Sequence, residues 1–337
     1  MRNETRAAVN AYLSQLAKLS GVDSAEKQFT VAPSVQQTLE SKIQESSAFL
    51  SQINVIGVRE LQGEKLGLGV TGPVASRTDT TQKDRAPRDI TTLDADGYLC
   101  RKTDFDTFLS YAKLDAWAKF PNFQQLVRDA IIQRQALDRM IIGFHGIEAA
   151  TETNLATHPM LQDVNIGWLQ KIRAAADPRV LDSGKTPGKV TFGPAAGADY
   201  KNLDALVYDA VQLLDPWYRE DPSLRAFVSR DLVHDKLFPL VNDSQDATEK
   251  VAADVLIGAK RLGGLQPVQV PYFPEGTVLI TSFKNLSIYW QEGGRRRTVV
   301  DNAKRDRIEN YESSNDAYVV EDYGMVGLVE KIEPLNA

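Results

Sequence analysis

The strongest hydrophobic pattern in the chain predicts an amphipathic helix at about residues 122–142, where apolar side chains recur every three or four positions. Gly143 and Gly146 follow it, as glycines commonly do where a helix ends. The inner face of this helix carries Phe123, Leu126, Val127, Ala130, Ile131, Leu137, Met140 and Ile141. The outer face carries Arg128, Asp129, Gln133, Arg134, Asp138 and Arg139. We therefore expect the central helix of a folded domain.

The N-terminal region has a second helical pattern at residues 4–20, and Gly21 ends it. A polar break follows between Val22 and Pro33, where another helix begins. One short helix on such a linker cannot form a core of its own. It is therefore either a helix docked on the rest of the subunit or a detachable, partner-binding arm, and the sequence leaves both interpretations open.

The C-terminal half mixes helical and strand patterns, which places the chain in the α+β class. Helices are predicted at about 163–176, 202–214, 230–241 and 247–259. Strands are predicted at about 226–229, 268–270, 277–283, 286–290 and 295–300, with a hairpin turn at 291–294. The module that begins near residue 199 is thus α/β in character.

The stretch from Lys304 to Tyr323 is extended in character but has no apolar face. Charged, β-branched and tyrosine residues alternate there, so neither set of alternate positions resembles the buried side of an ordinary strand. A polar strand that exposes both faces is expected to seek partners from other chains. Its acidic residues are interpreted as strand and interface charges, not as a catalytic pair: Glu309, Glu312, Glu321 and Asp322.

The sequence predicts an extended hairpin in the region before the long helix. Its first limb lies at about 64–71, its long polar tip at 75–90 and its alternating return limb at 97–111. A two-stranded ribbon of this kind is marginally stable by itself. Loops longer than ~15 residues within a compact protein are usually functional or disordered. We expect the hairpin to be stabilised by lying on a neighbouring subunit.

The same limb contains the alternative function that the sequence suggests. Gly67, Gly69 and Gly72 have the spacing of a dinucleotide-binding glycine loop, which would make the chain a soluble enzyme. Such a loop joins a strand to a helix. Here Pro73 follows, and the polar stretch after it has no helical pattern. Nucleotide binding at Gly67–Gly72 is therefore the secondary interpretation.

Composition narrows the class further. The 337-residue chain is 42% hydrophobic and 25% charged with a net charge of −6, which argues against disorder and against a general nucleic-acid binder. Its one cysteine, Cys100, permits no intrachain disulfide, and we expect it to be buried in a strand of a protein made in a reducing compartment. No apolar run approaches ~18 residues, so we expect a soluble protein without a membrane span.

Candidate catalytic chemistry is sparse. The three histidines, His145, His158 and His234, lack the spacing of a metal site, and we expect neither a metal nor a cofactor. The basic triplet Arg295–Arg297 is either a solvated hairpin edge or a partner for acidic residues of another subunit. The N-terminal helix on its linker, the extended hairpin and the polar C-terminal strand are three elements expected to protrude. Because no catalytic set accompanies them, the sequence favours an assembly subunit over an enzyme.

Short blocks in a fixed order carry a family resemblance. They are Arg2–Arg6, Asn10–Ser14, Gln44–Ser47, Gly63–Lys65, Pro159–Val164, Gly167–Lys171, Asn202–Val207, Pro216–Tyr218, Val270–Pro274, Arg307–Ser313 and Tyr318–Tyr323. Over nearly its whole length the chain resembles the major capsid proteins of Peduovirus-type tailed phages. The resemblance implies a Hong Kong 97-type capsid fold with an N-terminal arm, an E-loop, a peripheral domain with a spine helix, and an axial domain.

The resemblance implies domains that interleave in sequence and a maturation cleavage between Phe29 and Thr30 by a phage protease. The implied regions are an N-terminal segment removed in maturation (1–29), an N-arm (30–62), the E-loop hairpin (63–100), a peripheral domain (101–198) with its spine helix (122–142), a mostly axial region (199–294), and C-terminal strands (295–337) that return to the peripheral domain and end near the axial domain.

The resemblance also implies a function. Subunits would assemble as pentamers and hexamers into the icosahedral head shell of a tailed bacteriophage, which encloses double-stranded DNA without sequence-specific binding. The expected partners are a scaffolding protein, a maturation protease, the portal, and decoration or completion proteins, with assembly in the bacterial host cytoplasm. Residues expected at assembly interfaces are Arg77, Lys83, Arg85, Arg88, Arg295, Arg296, Arg297, Arg305, Arg307, Glu309 and Glu312.

Overall fold

The computed structural model describes residues 1–64, 67–70, 75–82, 84–86, 91–94, 97–117, 123–233 and 261–335. The α-helices named in this part of the chain are α1 Asn3–Ser20, α2 Pro33–Glu45, α3 Tyr111–Trp117, α4 Phe123–His145, α5 Trp168–Ala175 and α6 Leu203–Ala210. None of the described helices combines the length and the apolarity needed to cross a bilayer.

The strands are short, with the exception of the sixteenth. They are β1 Phe29–Thr30, β2 Asn54–Val58, β3 Gln62–Glu64, β4 Gly67–Val70, β5 Thr91–Asp94, β6 Gly97–Leu99, β7 Arg101–Asp104, β8 Thr107–Ser110, β9 Val180–Leu181, β10 Val190–Phe192, β11 Arg225–Val228, β12 Gln266–Val268, β13 Val278–Thr281, β14 Leu286–Gln291, β15 Arg296–Asn302, β16 Arg307–Val320, β17 Gly327–Val329 and β18 Ile332–Pro334.

The largest sheet is built around β16, which is 14 residues long and has partners along both edges. Its first half lies between β15 and β8, with Arg307 opposite both Asn302 and Ser110. Its second half pairs with β14 and β7. At the ends of the sheet path, β1 pairs with β15 and β2 pairs with β14. The polar strand is therefore an interior strand of its own subunit, and the prediction that it exposes both faces is wrong.

A second sheet has the strand order β12-β11-β13-β17-β9 and lies between two apolar cores. Phe227 and Leu279 face a core that contains Trp168. Val228 and Ile280 point the other way and pack with the apolar side of α6. Because successive side chains of a strand point to opposite faces, these apolar runs bury both faces of the sheet.

Trp168 lies in the first core and explains why residue 143 is a glycine. Its side chain is fully buried, and its Nε1 donates to Ser287 O at 2.9 Å. Gly143, in the last turn of α4, packs directly against the indole, since a Cβ there would lie 2.2 Å from Trp168 Cζ3. Only glycine therefore lets α4 approach α5 this closely.

The predicted hairpin is present in part, as a two-stranded ribbon whose return limb consists of β5 and β6. The prediction that this limb covers 97–111 is wrong beyond Leu99, because β7 and β8 pair with β16 in the largest sheet. β3 pairs antiparallel with β6, and β4 pairs antiparallel with β5. Gly67 lies opposite Asp94, so the glycine pattern belongs to a ribbon and not to a strand that leads into a helix. Gly72 lies outside the described residues. The nucleotide-binding alternative is thus not supported.

Helix positions agree with the sequence patterns more closely than helix ends do. The helix predicted at 122–142 is observed as α4, which continues to His145. α5 begins at Trp168, and α6 ends at Ala210 before a 3₁₀ turn at Val211–Leu213. Residues 230–233 begin the helix predicted at 230–241, whose remainder lies outside the described part of the chain, as does the whole of 247–259.

The N-terminal helix is docked on its own subunit, which is one of the two interpretations left open above. Gly21 ends α1 in the left-handed conformation at φ 66°. Ala17 then packs with Ala25, Phe29 and Val31, each less than 9% exposed. The segment thus forms a small apolar cluster of its own beside the main sheet.

Candidate assembly site and its buried charge cluster

Alternate side chains of β16 lie in two environments. Arg307, Glu309 and Tyr311 share one side of the strand, and the residues between them share the other. Ile308 and Asn310, together with Glu312 on the same face, line a cavity beneath α1 that residues of α4 also line. The two faces of the polar strand are therefore different in kind, and one of them is internal.

Five charged side chains meet inside the subunit where α2, α4, β16 and the start of β15 come together. We call Glu40, Arg139, Arg295, Glu312 and Asp316 the charge cluster. Each member is at most 4% exposed. Two guanidinium groups thus share three carboxyl groups in a region where an unpaired charge is strongly unfavourable.

Arg295 is the branching point of the charge cluster. Its Nη1 donates to Glu40 Oε1 at 2.8 Å, and its Nε donates to Glu312 Oε1 at 2.7 Å. Its Nη2 donates to Gln135 Oε1 at 2.7 Å, and Gln135 Nε2 in turn donates to Glu312 Oε2 at 3.1 Å. The guanidinium is therefore satisfied within one subunit by three different elements.

Arg139 extends the cluster to the second half of β16. Its Nη2 donates to Glu40 Oε1 at 3.1 Å, and its Nε donates to Asp316 Oδ2 at 3.2 Å. Glu40 thus accepts hydrogen bonds from both arginines. Because Glu40 lies on α2 and Arg139 on α4, the cluster joins the helix that follows the N-terminal segment to the long helix and to the sheet.

The three carboxyl groups respond differently to burial. Burial alone would raise the pKa of Glu40, but Arg139 and Arg295 outweigh it and hold that pKa below the ordinary value. The same balance lowers the pKa of Glu312, where Arg295 is the strongest favourable neighbour. For Asp316, burial outweighs the attraction of Arg139, and its pKa is raised. The charge cluster has one more carboxyl group than guanidinium groups, and Asp316 is the carboxyl group whose charge is least compensated.

The basic triplet does not act as one cluster, because its side chains alternate across the strand. Arg295 is fully buried, so the interpretation as a solvated hairpin edge is wrong for this residue. Its acidic partners, moreover, belong to its own subunit. Arg296 is exposed. Arg297 donates to Asn310 Oδ1 at 2.7 Å and to the Tyr12 hydroxyl at 3.1 Å.

The outer side of β16 carries the remaining predicted charges. Arg307 donates to Glu309 Oε1 at 2.6 Å, and its guanidinium lies 4.6 Å from the centre of the Phe108 ring. The Tyr311 hydroxyl donates to Glu309 Oε2 at 2.7 Å. Glu309 is only 6% exposed, whereas Arg305 lies exposed in the preceding turn. This side of the strand is thus an ordered mixture of aromatic and charged groups.

The interface residues predicted at the tip of the ribbon are not members of the charge cluster. Arg77 and Arg85 are exposed, and Lys83 and Arg88 lie outside the described residues. Phe29 and Thr30, the predicted cleavage pair, form β1 and lie opposite Arg297 and Arg296 of β15. The sequence did not predict this pairing.

Sequence reasoning missed four residues of this site: Glu40, Gln135, Arg139 and Asp316. Arg139 was assigned to the outer face of its helix, and it is instead 1% exposed. The available signal was the polarity of β16 on both faces, because a polar interior strand needs buried polar partners. Gln135 and Arg139, four residues apart on one helix face, are those partners.

Two of the three histidines have structural explanations, and His234 lies outside the described residues. His145 Nε2 lies 2.8 Å from Tyr272 O, and His158 Nδ1 lies 3.0 Å from the Thr157 hydroxyl. Within the described ranges, no group of three or more His, Cys, Asp or Glu side chains is arranged to hold a metal. Cys100 is buried as predicted, although it lies between β6 and β7 and not within a strand.

Sequence comparison identifies the relatives of this chain. A family profile described as "Phage major capsid protein, P2 family" matches residues 8–332. The capsid protein of Escherichia phage P2 is 49% identical over 99% of this chain and 96% of its own length. The major capsid protein of Serratia phage KSP20 is 40% identical over 98% of this chain and 97% of its own length.

Structural comparison agrees. A chain in the procapsid of satellite phage P4, a structure that includes the size determination protein, has a TM-score of 0.82 at 46% identity and covers 100% of this chain and 99% of its own length. The capsid of a native GTA particle has a TM-score of 0.53 at 14% identity, with 86% of this chain and 91% of that chain covered, which shows a shared fold alone. The α+β, Hong Kong 97-type capsid fold is confirmed.

These relatives are structural subunits of virion capsids and not enzymes. The matches extend from the N-terminal helix to the last strands. The chain therefore belongs to the P2 family of phage major capsid proteins.

Proposed function

We propose that this chain assembles as pentamers and hexamers into the icosahedral head shell of a tailed bacteriophage, and that the shell encloses packaged double-stranded DNA. The observation that carries the proposal is membership of the capsid family over residues 8–332. A closed shell repeats each contact many times, so that individual interfaces can be modest.

The ribbon, the long helix and the two sheets have different roles in such a shell. The ribbon of β3–β6 is the E-loop, which lies over a neighbouring subunit because a two-stranded ribbon is marginally stable alone. α4 is the spine helix of the peripheral domain, beside the sheet that contains β16. The sheet around β13, with α6, is the larger part of the axial domain.

The predicted interface residues that the structure describes differ in exposure. Arg77, Arg85, Arg296 and Arg305 are exposed and available for contacts between subunits. Arg295 and Glu312 act instead inside the subunit, where they hold β16 against α2 and α4. The proposed assembly contacts therefore belong to the ribbon tip, the edge of β15 and the turn before β16. Arg297 and Arg307 are partly covered neighbours of these contacts, whereas Glu309 is buried.

The proposed partners follow from building and filling a shell. They are a scaffolding protein, a maturation protease, the portal, and decoration or completion proteins. The matched procapsid of satellite phage P4 includes a size determination protein, which supports a subunit whose shell curvature is set by an accessory protein. The net charge of −6 suits a wall that holds DNA without binding its sequence.

We also propose that a protease removes residues 1–29 between Phe29 and Thr30 during maturation. The mass of the subunit in mature particles tests this step directly. A chain that begins at Thr30 is expected, and a chain in mature particles that still begins at Met1 contradicts the cleavage.

Sedimentation velocity tests the assembly role of the ribbon. A variant in which a short Gly-Ser linker replaces residues 75–90 is co-expressed with the scaffolding protein. Circular dichroism should show a folded subunit, since the cores lie elsewhere. We expect the wild-type protein to sediment as closed shells and the variant only as subunits or small oligomers. Shells of normal size from the variant would remove the E-loop role.

A further inference from the structure

We propose that the N-terminal segment, residues 1–31, protects the bond between Phe29 and Thr30 by its own docking, so that cleavage requires prior release of the segment from the subunit. The proposal rests on the proteolytic maturation proposed above and adds what controls it. It makes the docked segment a self-inhibitory cover whose release sets the rate of cleavage.

The bond itself lies in a paired strand. Phe29 is opposite Arg297 and Thr30 is opposite Arg296 in the antiparallel pair of β1 and β15. Val31 N donates to Arg295 O at 3.0 Å, and the Phe29 side chain is only 8% exposed. Proteases cleave exposed, unpaired segments. In this arrangement neither the backbone nor the Phe29 side chain is available to one.

The residues before the bond are held by the same strand. Val299 N donates to Ala25 O at 3.0 Å, and the Thr298 hydroxyl donates to Glu26 O at 3.0 Å. The stretch 25–31 therefore contacts β15 on both sides of the bond. Fraying of one or two residues does not free enough chain for a protease, so the stretch must leave β15 as a unit.

α1 closes over this stretch, and its polar contacts with the rest of the subunit include Arg2 N to Asp115 Oδ1 at 2.9 Å and Arg297 to the Tyr12 hydroxyl at 3.1 Å. Its Arg6 pairs with Asp301 at 2.9 Å, yet the Arg6 side chain is 49% exposed, and exposed ion pairs contribute little. Beneath α1 lies a cavity of about 120 Å³, lined by α1 and the apolar residues Leu114, Ile131, Ile132 and Val299 among others. Incomplete packing weakens the docking of the helix, because the lining atoms lose dispersion contacts.

The chain after the bond is held far more firmly. Gln36 is fully buried, where its Nε2 donates to Gln291 O at 3.0 Å and its Oε1 accepts from Gly293 N at 2.9 Å. Glu40 lies in the charge cluster. The division between weak and firm attachment thus falls just before α2, two residues beyond the proposed cleavage bond. Release of residues 1–31 can therefore occur while α2 stays in place.

A reversible disulfide tests the cover. Thr30 and Arg296 lie directly opposite each other and are both exposed, so the double variant Thr30→Cys, Arg296→Cys has the Cα separation that a disulfide needs. The native Cys100 does not compete, because burial raises its pKa to about 12. Oxidation clamps β1 to β15, and reduction of the same protein is the matched control.

Chymotrypsin is the probe, since its specificity pocket accepts aromatic side chains and the bond after Phe29 suits it without any phage protease. The rate at which a chain beginning at residue 30 appears is measured by mass spectrometry. A peptide substrate in the same tube reports protease activity. We expect cleavage of the oxidised form to be about tenfold slower than that of the reduced form. Equal rates for the two forms overturn the proposal.

Two single substitutions on α1 test whether weaker docking of the segment speeds cleavage. Ala17→Asp places a charge in the small apolar cluster, whereas Ala11→Asp makes the same change on the exposed side of the helix. We expect Ala17→Asp to speed cleavage after Phe29 about fivefold and Ala11→Asp to change it less than about twofold. Equal rates for both variants contradict the cover.

The two proposals can fail separately. If the chymotrypsin rates behave as expected but mature particles keep Met1, the segment is a cover and the maturation cleavage is wrong. If mature particles begin at Thr30 but clamping does not slow chymotrypsin, the cleavage stands and the cover is wrong.

Discussion

Arg295 Nη1 donates a hydrogen bond to Glu40 Oε1 at 2.8 Å across 255 positions of sequence. Both side chains are at most 2% exposed. This contact joins α2, close to the N-terminus, to the hairpin that begins β15. It fixes the part of the N-terminal region that is retained after the proposed cleavage, and it explains why a charged residue sits inside a capsid subunit.

Loss of Arg295 should destabilise the subunit strongly. Arg295→Met leaves Glu40 and Glu312 with one guanidinium fewer in a buried site, and we expect the free energy of unfolding to fall by about 3–5 kcal/mol. The neighbouring Arg296→Met removes an exposed charge and is the matched control, with an expected change within about 0.5 kcal/mol. Urea unfolding of the unassembled subunit measures both. Similar losses in the two variants would contradict the internal role of Arg295.

Neutralising different carboxyl groups of the charge cluster should have unequal costs. Glu40 accepts from both arginines and has a lowered pKa, whereas Asp316 has a raised pKa because burial dominates there. We expect Glu40→Gln to lower the free energy of unfolding at neutral pH by about 3 kcal/mol and Asp316→Asn by about 1 kcal/mol or less. Equal or reversed losses would show that the excess carboxyl group is not located at Asp316.

The charge cluster should also make the subunit sensitive to acid. The pKa values of Glu40 and Glu312 are lower in the folded chain than their ordinary value of 4.5, so the unfolded chain binds more protons as the pH falls. Their stabilisation is fully present above pH 4.5 and is lost as the pH falls through the folded-state values. The raised pKa of Asp316 acts in the opposite direction.

The free energy of unfolding, measured from about pH 6 to about pH 3, should therefore fall more steeply in the wild-type subunit than in Glu40→Gln. Parallel profiles for the two proteins would mean that Glu40 does not carry this dependence.

The thiol of Cys100 should be almost inert in the folded subunit. Cys100 is 2% exposed, and burial raises its pKa to about 12. Thiolate is the reactive form, so we expect labelling by a disulfide reagent at about pH 8 to be at least about 100-fold slower than in the urea-unfolded chain. Rapid labelling of one thiol per folded chain would show that β6 and β7 open readily.

The sequence predicted those parts of the fold that depend on local pattern. The period of 3.6 residues in α4 is set by neighbours along the chain, and so the helix could be placed to within a few residues. The amino-acid sequences of the short blocks, in their fixed order, identified the family. The existence of the ribbon was predicted and it is present as β3–β6, but its return limb was placed too far along the chain, because the alternating pattern of β7 and β8 belongs to strands that pair with β16.

The errors that concern the charge cluster and β16 have one physical cause. Arg139 and the two-sided polarity of β16 both looked exposed, because polar residues usually are. Inside the subunit they satisfy one another, and their partner Glu40 lies 99 residues from Arg139 and 255 residues from Arg295. Hydrophobic periodicity carries no information about such long-range polar pairs. The alternation of Arg295, Arg296 and Arg297 between inside and outside was likewise invisible without the register of β15.

Cryo-electron microscopy of particles formed on co-expression with the scaffolding protein tests the central claim most directly. We predict closed icosahedral shells whose capsomers are pentamers and hexamers of this chain, with the ribbon of β3–β6 lying over an adjacent subunit. Only monomers or small soluble oligomers, under conditions where the scaffold is present and folded, would contradict it.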